Sequence, residues 1–295
     1  MTDAALPAPI LSPSPVNRTN RSVLMASILS ATDIAALHDA VRARRPLVQN
    51  ITNYVAMTIS ANVLLALGAS PAMVHAAEET EEFSAFTDSL VINIGTLSPA
   101  WISGMKLAAA TAVAHTKPFI LDPVACGATR LRTKTANDLL ALRPSIIRGN
   151  AGEIMALAGS SGAKSRGVDS LSSADEGLSA AVALATSSGA IIAMTGEIDY
   201  VTDGVRIARI TGGHGLMPLS TALGCALTAT VGAFAAVAPP YEAAVAALAT
   251  YAAAGKVAGD RCPNGPGHMP VELCDALYQS SETQIAAHTT VEEIQ

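Results

Sequence analysis

From about residue 30 onward, short runs rich in Val, Ile and Leu recur at 47–52, 72–75, 90–95, 119–124, 145–149 and 190–195, with no alternation of apolar and polar residues inside them. A strand wetted on one side alternates. One that is apolar throughout is buried on both faces, as in a parallel sheet covered by helices. The stretches at 32–44, 55–67, 99–115, 135–142, 151–157, 174–187, 219–236 and 242–257 are Ala-rich and read as helices. The chain therefore reads as α/β, with one mostly parallel central sheet, helices on both faces, and a single domain over 30–295. Runs at 199–202 and 206–211 flank Asp203-Gly204 and predict an antiparallel hairpin with a type I′ turn. Aromatics make up only 3% of the chain while half of it is apolar, so Ala, Val, Ile and Leu must fill the core between closely approaching elements.

Several classes are disfavoured. The net charge is −6 and Lys and Arg are scattered, so no basic stripe suits a phosphodiester backbone and no nucleic acid partner is expected. Cys126, Cys225, Cys262 and Cys274 form no CxxC pair and have no His at zinc spacing, which points to a reducing, cytoplasmic setting. Residues 210–241 carry no Asp, Glu, Lys or Arg. That length could span a bilayer, but Gly212, Gly213, Gly215 and Pro218 break it and no cationic flank follows, so a buried core helix, and no membrane span, is expected. Residues 1–29 are rich in Pro and Ser, lack a secretory apolar core, and are expected to form a disordered extension.

Ligands of such sheets sit beyond the carboxyl ends of the strands. Asn50, Thr52, Asn53 and Met57 follow the first run, where Asn53 suits a helix cap as well as a ligand contact. Asp122 closes a run before Pro123, as a turn former or a functional acid, with Gly127, Arg130 and Arg132 after it. Asn150 and Glu153 match a capping box and also a functional pair. Thr195, Gly196 and Glu197 offer a hydroxyl and a pliant backbone to an anion. Gly224-Cys225 opens a long apolar helix whose free N–H groups and dipole form an anion site. A thiol there has its thiolate favoured and could act as a base, yet a small buried hydrophobe fits equally. Cys126, in "ACGAT", is a rival thiol, whereas Cys262 and Cys274 read as structural. His214 precedes Cys225 without an evident acidic orienter, so a Cys/His nucleophile is weakly supported.

In order, "QNITNYVAMTISANVLLALGASPAM", "VINIGTL", "LDPVACGAT", "RGNAGEI", "MTGEIDYVTDG", "GGHGLM", "GCALTATVGAF" and "GPGH" span about 31–280. This set resembles the bacterial hydroxyethylthiazole kinases of the ribokinase-like superfamily. The resemblance implies a ribokinase-like three-layer sandwich and transfer of the ATP γ-phosphoryl group to the primary alcohol of 4-methyl-5-(2-hydroxyethyl)thiazole, a step toward thiamine. It also implies Mg²⁺ as cofactor and a homotrimer with sites at subunit boundaries. By position, Met57 would contact the thiazole with Asn53 on the substrate side, and Ala222 would lie at the alcohol. Arg132 and Thr195 would meet the ATP phosphates, and Asp122 and Glu153 would hold Mg²⁺, partly through water. Leu223, Gly224 and Cys225 would form the anion hole, with Cys225 as base or, because a loose transfer needs little base help, as a positioner of the alcohol. Relatives usually have Gly and then Ala or Thr before the Gly-Cys pair, whereas this chain has Ala222-Leu223, and Ala lacks the freedom of Gly at positive φ. A kinase of another heterocyclic or sugar alcohol, and a thiazole- or nucleotide-binding protein without catalysis, are the alternatives.

Overall fold

The structure, a computed structural model, describes residues 28–160, 162 and 173–294. Of the expected extension, 1–27 lie outside the described residues, while Ile28 and Leu29 pack partly buried against the core. The elements run α1 (Ala31–Arg44), β1 (Leu47–Ile51), α2 (Met57–Leu67), β2 (Ser70–Ala72), α3 (Ala77–Phe86), β3 (Ser89–Asn93), α4 (Pro99–Ala114), β4 (Phe119–Asp122), α5 (Arg130–Leu140), β5 (Ile146–Asn150), α6 (Ala151–Ser160) and α7 (Ser173–Ser188). They continue with β6 (Ile191–Thr195), β7 (Asp199–Thr202), β8 (Ile207–Thr211), α8 (Leu223–Ala235), α9 (Pro240–Asp260), α10 (Met269–Tyr278), α11 (Glu282–His288) and β9 (Thr290–Ile294).

The strands form one sheet in the order β2-β1-β3-β4-β5-β6-β7-β8-β9. Pairing is parallel from β2 to β6 and antiparallel from β6 to β9. One apolar layer joins the sheet to α1, α2, α8, α9, α10 and α11, and the other joins it to α4, α5, α6 and α7. This is the expected three-layer sandwich. Strands β3 and β4 are buried along their whole length, which explains their unbroken apolar character.

Some expectations need correction. The 203–206 connection is not a type I′ turn, because Gly204 takes positive φ (93°) but Asp203 does not. Asp203 Oδ1 instead accepts from Val205 N (2.9 Å) and Arg206 N (2.7 Å) and shapes a longer loop. Strand β2 begins two residues before the expected 72–75, directly after the left-handed Gly68 that ends α2. Helix α3 has a polar buried face, Thr80 and Ser84, and so hides its period. Strand β9 is a mostly exposed edge tied to β8 by Arg209 and Glu292 (2.9 Å). The uncharged 210–241 stretch is divided among β8, a 3₁₀ turn at Met217–Leu219 and α8, and no described helix is long and apolar enough to cross a membrane.

Two features of this layering place the site. Side chains alternate across a strand, and Val91, Ile120, Ile146 and Ala193 face the α8 layer. Two residues further on, the same face carries Asn93, Asp122 and Thr195 as the last residues of β3, β4 and β6, and Arg148 as the third residue of β5. Helix α8 lies close on β3 and β1 because Gly232 has no side chain: a Cβ there would stand 2.5 Å from Val91 Cγ2 and 3.1 Å from Val48 Cγ1. Ser89 Oγ donates to the Gly232 carbonyl at 2.8 Å and fixes the approach.

On the outer side of α8, His38 of α1 is buried with its ring stacked on Phe234 (6.2 Å between centroids), and its Nε2 has no hydrogen-bond partner. Burial, helped by the Arg42 charge and opposed by Asp39, pulls its pKa down to about 4. Between about pH 6.5 and 4 the unfolded chain protonates this histidine and the folded one does not, so its contribution is lost as pH falls, up to about 3 kcal/mol. Asp122 and Asp199, both raised to about 6, act in the opposite direction in this window, since their stabilising proton is lost as pH rises. The difference between wild type and His38→Gln isolates the histidine. In urea unfolding, the wild type should gain stability relative to the variant on going from pH 4.5 to 7, and a pH-independent difference would refute the assignment.

Candidate active site

Helix α8 begins at Ala222, which adopts φ 64° and ψ 3° and makes no side-chain cap, so the first N–H groups are not closed off by a side chain. The buried Tyr251 hydroxyl donates to Leu223 O at 2.7 Å and pins this end in place. Below it lies the row of strand-end side chains. Asn93 Nδ2 donates to Asp122 Oδ2 at 2.7 Å, and Thr228 Oγ1, one turn into α8, donates to the same oxygen at 2.7 Å. Asn53 Nδ2 donates to Asn93 Oδ1 (2.9 Å) and to Cys225 Sγ (3.3 Å). Asn53 Oδ1 accepts from Val55 N and Ala56 N, both at 3.0 Å, so Asn53 shapes the approach to α2 as well as touching the thiol. The amide orientations follow from these neighbours: a carboxylate only accepts and a backbone N–H only donates.

Asp122 is fully buried. Burial pushes its carboxyl up to about 6, against the pull of Arg148 and of the Thr228 and Asn93 hydrogen bonds. Its Oδ1 has no hydrogen-bond partner. The Cys225 thiol is raised above its ordinary value, first by burial and then by the Asp122 charge, with the Asn53 bond opposing. These surroundings oppose the thiolate that the helix terminus alone would favour.

The other sequence-derived residues fall into place around this network. Glu153 does form the capping box, its Oε2 accepting from Asn150 N and Asn150 Oδ1 accepting from Glu153 N, both at 2.9 Å. Its Oε1 also accepts from Ala125 N at 2.8 Å, and its charge reaches Asp122. Arg132 donates to the carbonyls of Ile94 (2.7 Å), Val124 (3.0 Å) and Gly95 (2.7 Å), latching together the loops that leave β3 and β4. Thr195 Oγ1 accepts from Arg148 Nη2 at 2.6 Å. Met57 opens α2, partly buried. His214 is committed elsewhere: its Nδ1 accepts from Leu216 N at 3.2 Å, and a Cβ on Gly259 of α9 would strike its ring. Cys126 is buried and its thiol is raised by burial. Among the described residues, no three His, Cys, Asp or Glu side chains gather to hold a metal.

The sequence profile of the hydroxyethylthiazole kinase family matches residues 38–283. The chain belongs to the hydroxyethylthiazole kinase family. It is 54% identical over 243 residues to a hydroxyethylthiazole kinase of Cereibacter sphaeroides, covering 82% of this chain and 92% of the relative. It is 52% identical over 262 residues to one of Rhizobium rhizogenes, covering 88% and 97%. A solved structure of the hydroxyethylthiazole kinase protein from Pyrococcus horikoshii is similar with a TM-score of 0.84 and 40% identity, covering 90% of this chain and 100% of that one. The pyridoxal kinase of Staphylococcus aureus, at 17% identity and a TM-score of 0.56 over 84% of this chain and 99% of that one, shares the fold, which is ribokinase-like.

Within this family chain, sequence reasoning missed Asn93, Thr228, Arg148 and Asp199. The inspection began just past each strand, while three signals lay inside the elements. Asn93 and Arg148 are polar residues that follow apolar pairs within β3 and β5, and Thr228 repeats the Gly224 face one turn later. Asp199, at the start of β7, accepts from Gly196 N at 3.0 Å and is pushed up to about 6 by the surrounding chain.

The Ala222-Leu223 departure has a measurable consequence. Ala222 sits in the left-handed region, where its Cβ is strained and glycine is not. Ala222→Gly should therefore stabilise the protein by about 1 kcal/mol. A rise in the urea midpoint at unchanged slope is the expected reading, and a fall would show that the Cβ makes packing contacts worth more than the strain.

Proposed function

We propose that this chain transfers the γ-phosphoryl group of ATP to the primary alcohol of 4-methyl-5-(2-hydroxyethyl)thiazole, as a cytoplasmic, Mg²⁺-dependent homotrimer. The observation that carries the reading is the uncapped amino end of α8 set over Asn93, Asp122, Arg148 and Thr195, in a chain of this family. Positioning and electrostatics account for most of the work of phosphoryl transfer, and both are supplied. The N–H groups of Leu223, Gly224 and Cys225 would receive the oxygens of the transferring phosphoryl group. Thr195 and Arg132 would meet the remaining ATP phosphates, Arg132 by exchanging part of its loop latch. Met57 and Asn53 would border the thiazole, with Ala222 at its alcohol. The protonated Cys225 thiol, held by Asn53, orients the alcohol; in a loose transfer the alcohol proton leaves late and needs no strong base.

The donor set fits a hard cation held in part by water. The buried Oδ1 of Asp122 has no partner, and Glu153, already accepting two backbone N–H bonds, keeps lone pairs free. Bound there with ATP, Mg²⁺ would neutralise charge on the phosphate oxygens. The family resemblance supports the trimer and its shared sites, and the exposed Tyr54 and Val55, directly after Asn53, give such a boundary an apolar patch. Free thiols at Cys126, Cys225, Cys262 and Cys274 support a reducing compartment.

The deciding experiment is ADP release from Mg·ATP with and without the thiazole alcohol. Thiazole-dependent turnover is expected, and ATP binding without it would overturn the reading. A second reading, a kinase of another small alcohol, is favoured by the extra Cβ of Ala222. A panel of heterocyclic and sugar alcohols separates the two by which one has the highest kcat/KM.

A further inference from the structure

Asn93 closes β3 with its side chain fully buried. Burying a primary amide costs free energy unless its donors and acceptors are met, and an apolar residue of that shape would carry no such cost. The amide is used at both ends. Its Oδ1 accepts from Asn53 Nδ2 and from Gly95 N, both at 2.9 Å, and its Nδ2 donates to Asp122 Oδ2 at 2.7 Å. Asn53, also buried, is equally committed: Oδ1 accepts from Val55 N and Ala56 N, and Nδ2 gives its other hydrogen to Cys225 Sγ at 3.3 Å. Gly95 makes room for this. A Cβ there would stand 2.6 Å from Asn53 Nδ2 and 2.8 Å from Asn53 Cβ and Cγ, so the turn after β3 closes directly on the Asn53 side chain.

These bonds have one direction. A carboxylate only accepts, so Asn93 must turn its nitrogen to Asp122 and its oxygen to Asn53; the Gly95, Val55 and Ala56 N–H groups only donate, and they hold both amides the same way round. The row therefore presents an N–H to the Cys225 sulfur, and never an oxygen. An N–H on the sulfur fixes where the thiol stands and favours electron density on it. An amide kept only for folding could end on backbone groups. This row ends on two side chains, Asp122 and Cys225, which the reading above places on the donor and acceptor sides of the transfer.

Building on the phosphoryl-transfer reading above, we infer that Asn93 is a positioning residue for the acceptor alcohol, acting through Asn53 on the Cys225 sulfur. Anchored on Asp122, it sets the direction of the Asn53 amide. The sulfur then meets the alcohol from one place, with one N–H already on it.

The test compares wild type, Asn93→Leu, Cys225→Ala and the double variant by kcat and the two KM values. It also follows the pH dependence of Cys225 alkylation by iodoacetamide, read on the peptide that carries Cys225. Asn93→Leu should lower kcat/KM for the thiazole alcohol about tenfold. The KM for ATP should stay within about twofold, because Thr228 still donates to Asp122 Oδ2 at 2.7 Å. In the Cys225→Ala background the same substitution should cost about twofold or less, since its route to the alcohol is gone. Without either substrate, the midpoint of alkylation should move to higher pH in Asn93→Leu. Asp122 and Arg148, the charged groups that act on the thiol, are kept in that variant, so the shift reads the amides. Easier access alone would change the limiting rate and leave the midpoint where it was. An unchanged midpoint, losses that multiply with Cys225→Ala, or a rise confined to the KM for ATP would overturn the inference. Should Asn93→Leu not fold, Asn93→Ala leaves room for about one water, which donates or accepts and so gives Asn53 no fixed direction. The same results are expected there, and wild-type kinetics with a wild-type midpoint would overturn the inference equally. Failure of the function reading looks different: the wild type would not turn over the thiazole alcohol, while the alkylation midpoints, measured without substrates, would still separate the two proteins.

Discussion

Asp122→Asn should leave the protein folded and lower thiazole-dependent ADP release by about 10³-fold or more. The substitution suits the site sterically. The oxygen that accepts from Asn93 and Thr228 can remain an oxygen, and the new amide nitrogen takes the place of Oδ1, which has no partner to lose. Burial already opposes the charge on this carboxyl, so removing it relieves a desolvation cost, offset by leaving Arg148 less compensated. Folding stability should therefore change little. Activity should not survive, because the buried charge is what would hold a divalent cation against the phosphate oxygens. Turnover and thermal midpoint measured on the same preparation decide the matter, and activity within tenfold of wild type would remove Asp122 from the chemistry.

Gly232→Val should have the largest effect on stability, a loss of about 3 kcal/mol. The Cβ alone would meet Val91 Cγ2 at 2.5 Å and Val48 Cγ1 at 3.1 Å, and valine adds two methyl groups to the same crowded point. Neither neighbour is the free end of a long side chain, so α8 itself must lift from β1 and β3. The helix carries its uncapped amino end two turns away, and lifting it shifts Gly224 and Thr228 relative to Asp122 and Arg148. A lowered urea midpoint together with a fall in kcat is expected. An unchanged midpoint would mean that helix and sheet are packed less closely than described.

The sheet was legible in the sequence because burial on both faces leaves an unmistakable trace in β1, β3, β4, β5 and β6. Elements whose buried faces are polar or whose strands are exposed left none: α3 turns Thr80 and Ser84 inward, and β9 carries Glu292 and Glu293 at the edge. For the site, the strand-end rule led to Asp122 and Thr195, and the free N–H groups at a helix start led to Cys225. The strand-end rule passed over Arg148 and Asn93, since a polar residue within a strand declares its role only when the facing helix is known. The balance of effects on the Cys225 thiol was legible only in part for a similar reason. A helix terminus lowers a thiol's pKa, but the depth of burial and the distance to Asp122 are properties of the assembled layers.

The bonds that hold the site together join remote parts of the chain: Asn53 meets Cys225 across 172 positions, and Thr228 meets Asp122 across 106. Contacts of such separation are slow to form, because a long loop must close before they give anything back. No early folding fragment can contain this constellation. During refolding, recovery of nucleotide binding should trail recovery of helical signal, and nucleotide, by binding only the finished arrangement, should protect the sheet and α8 together against unfolding.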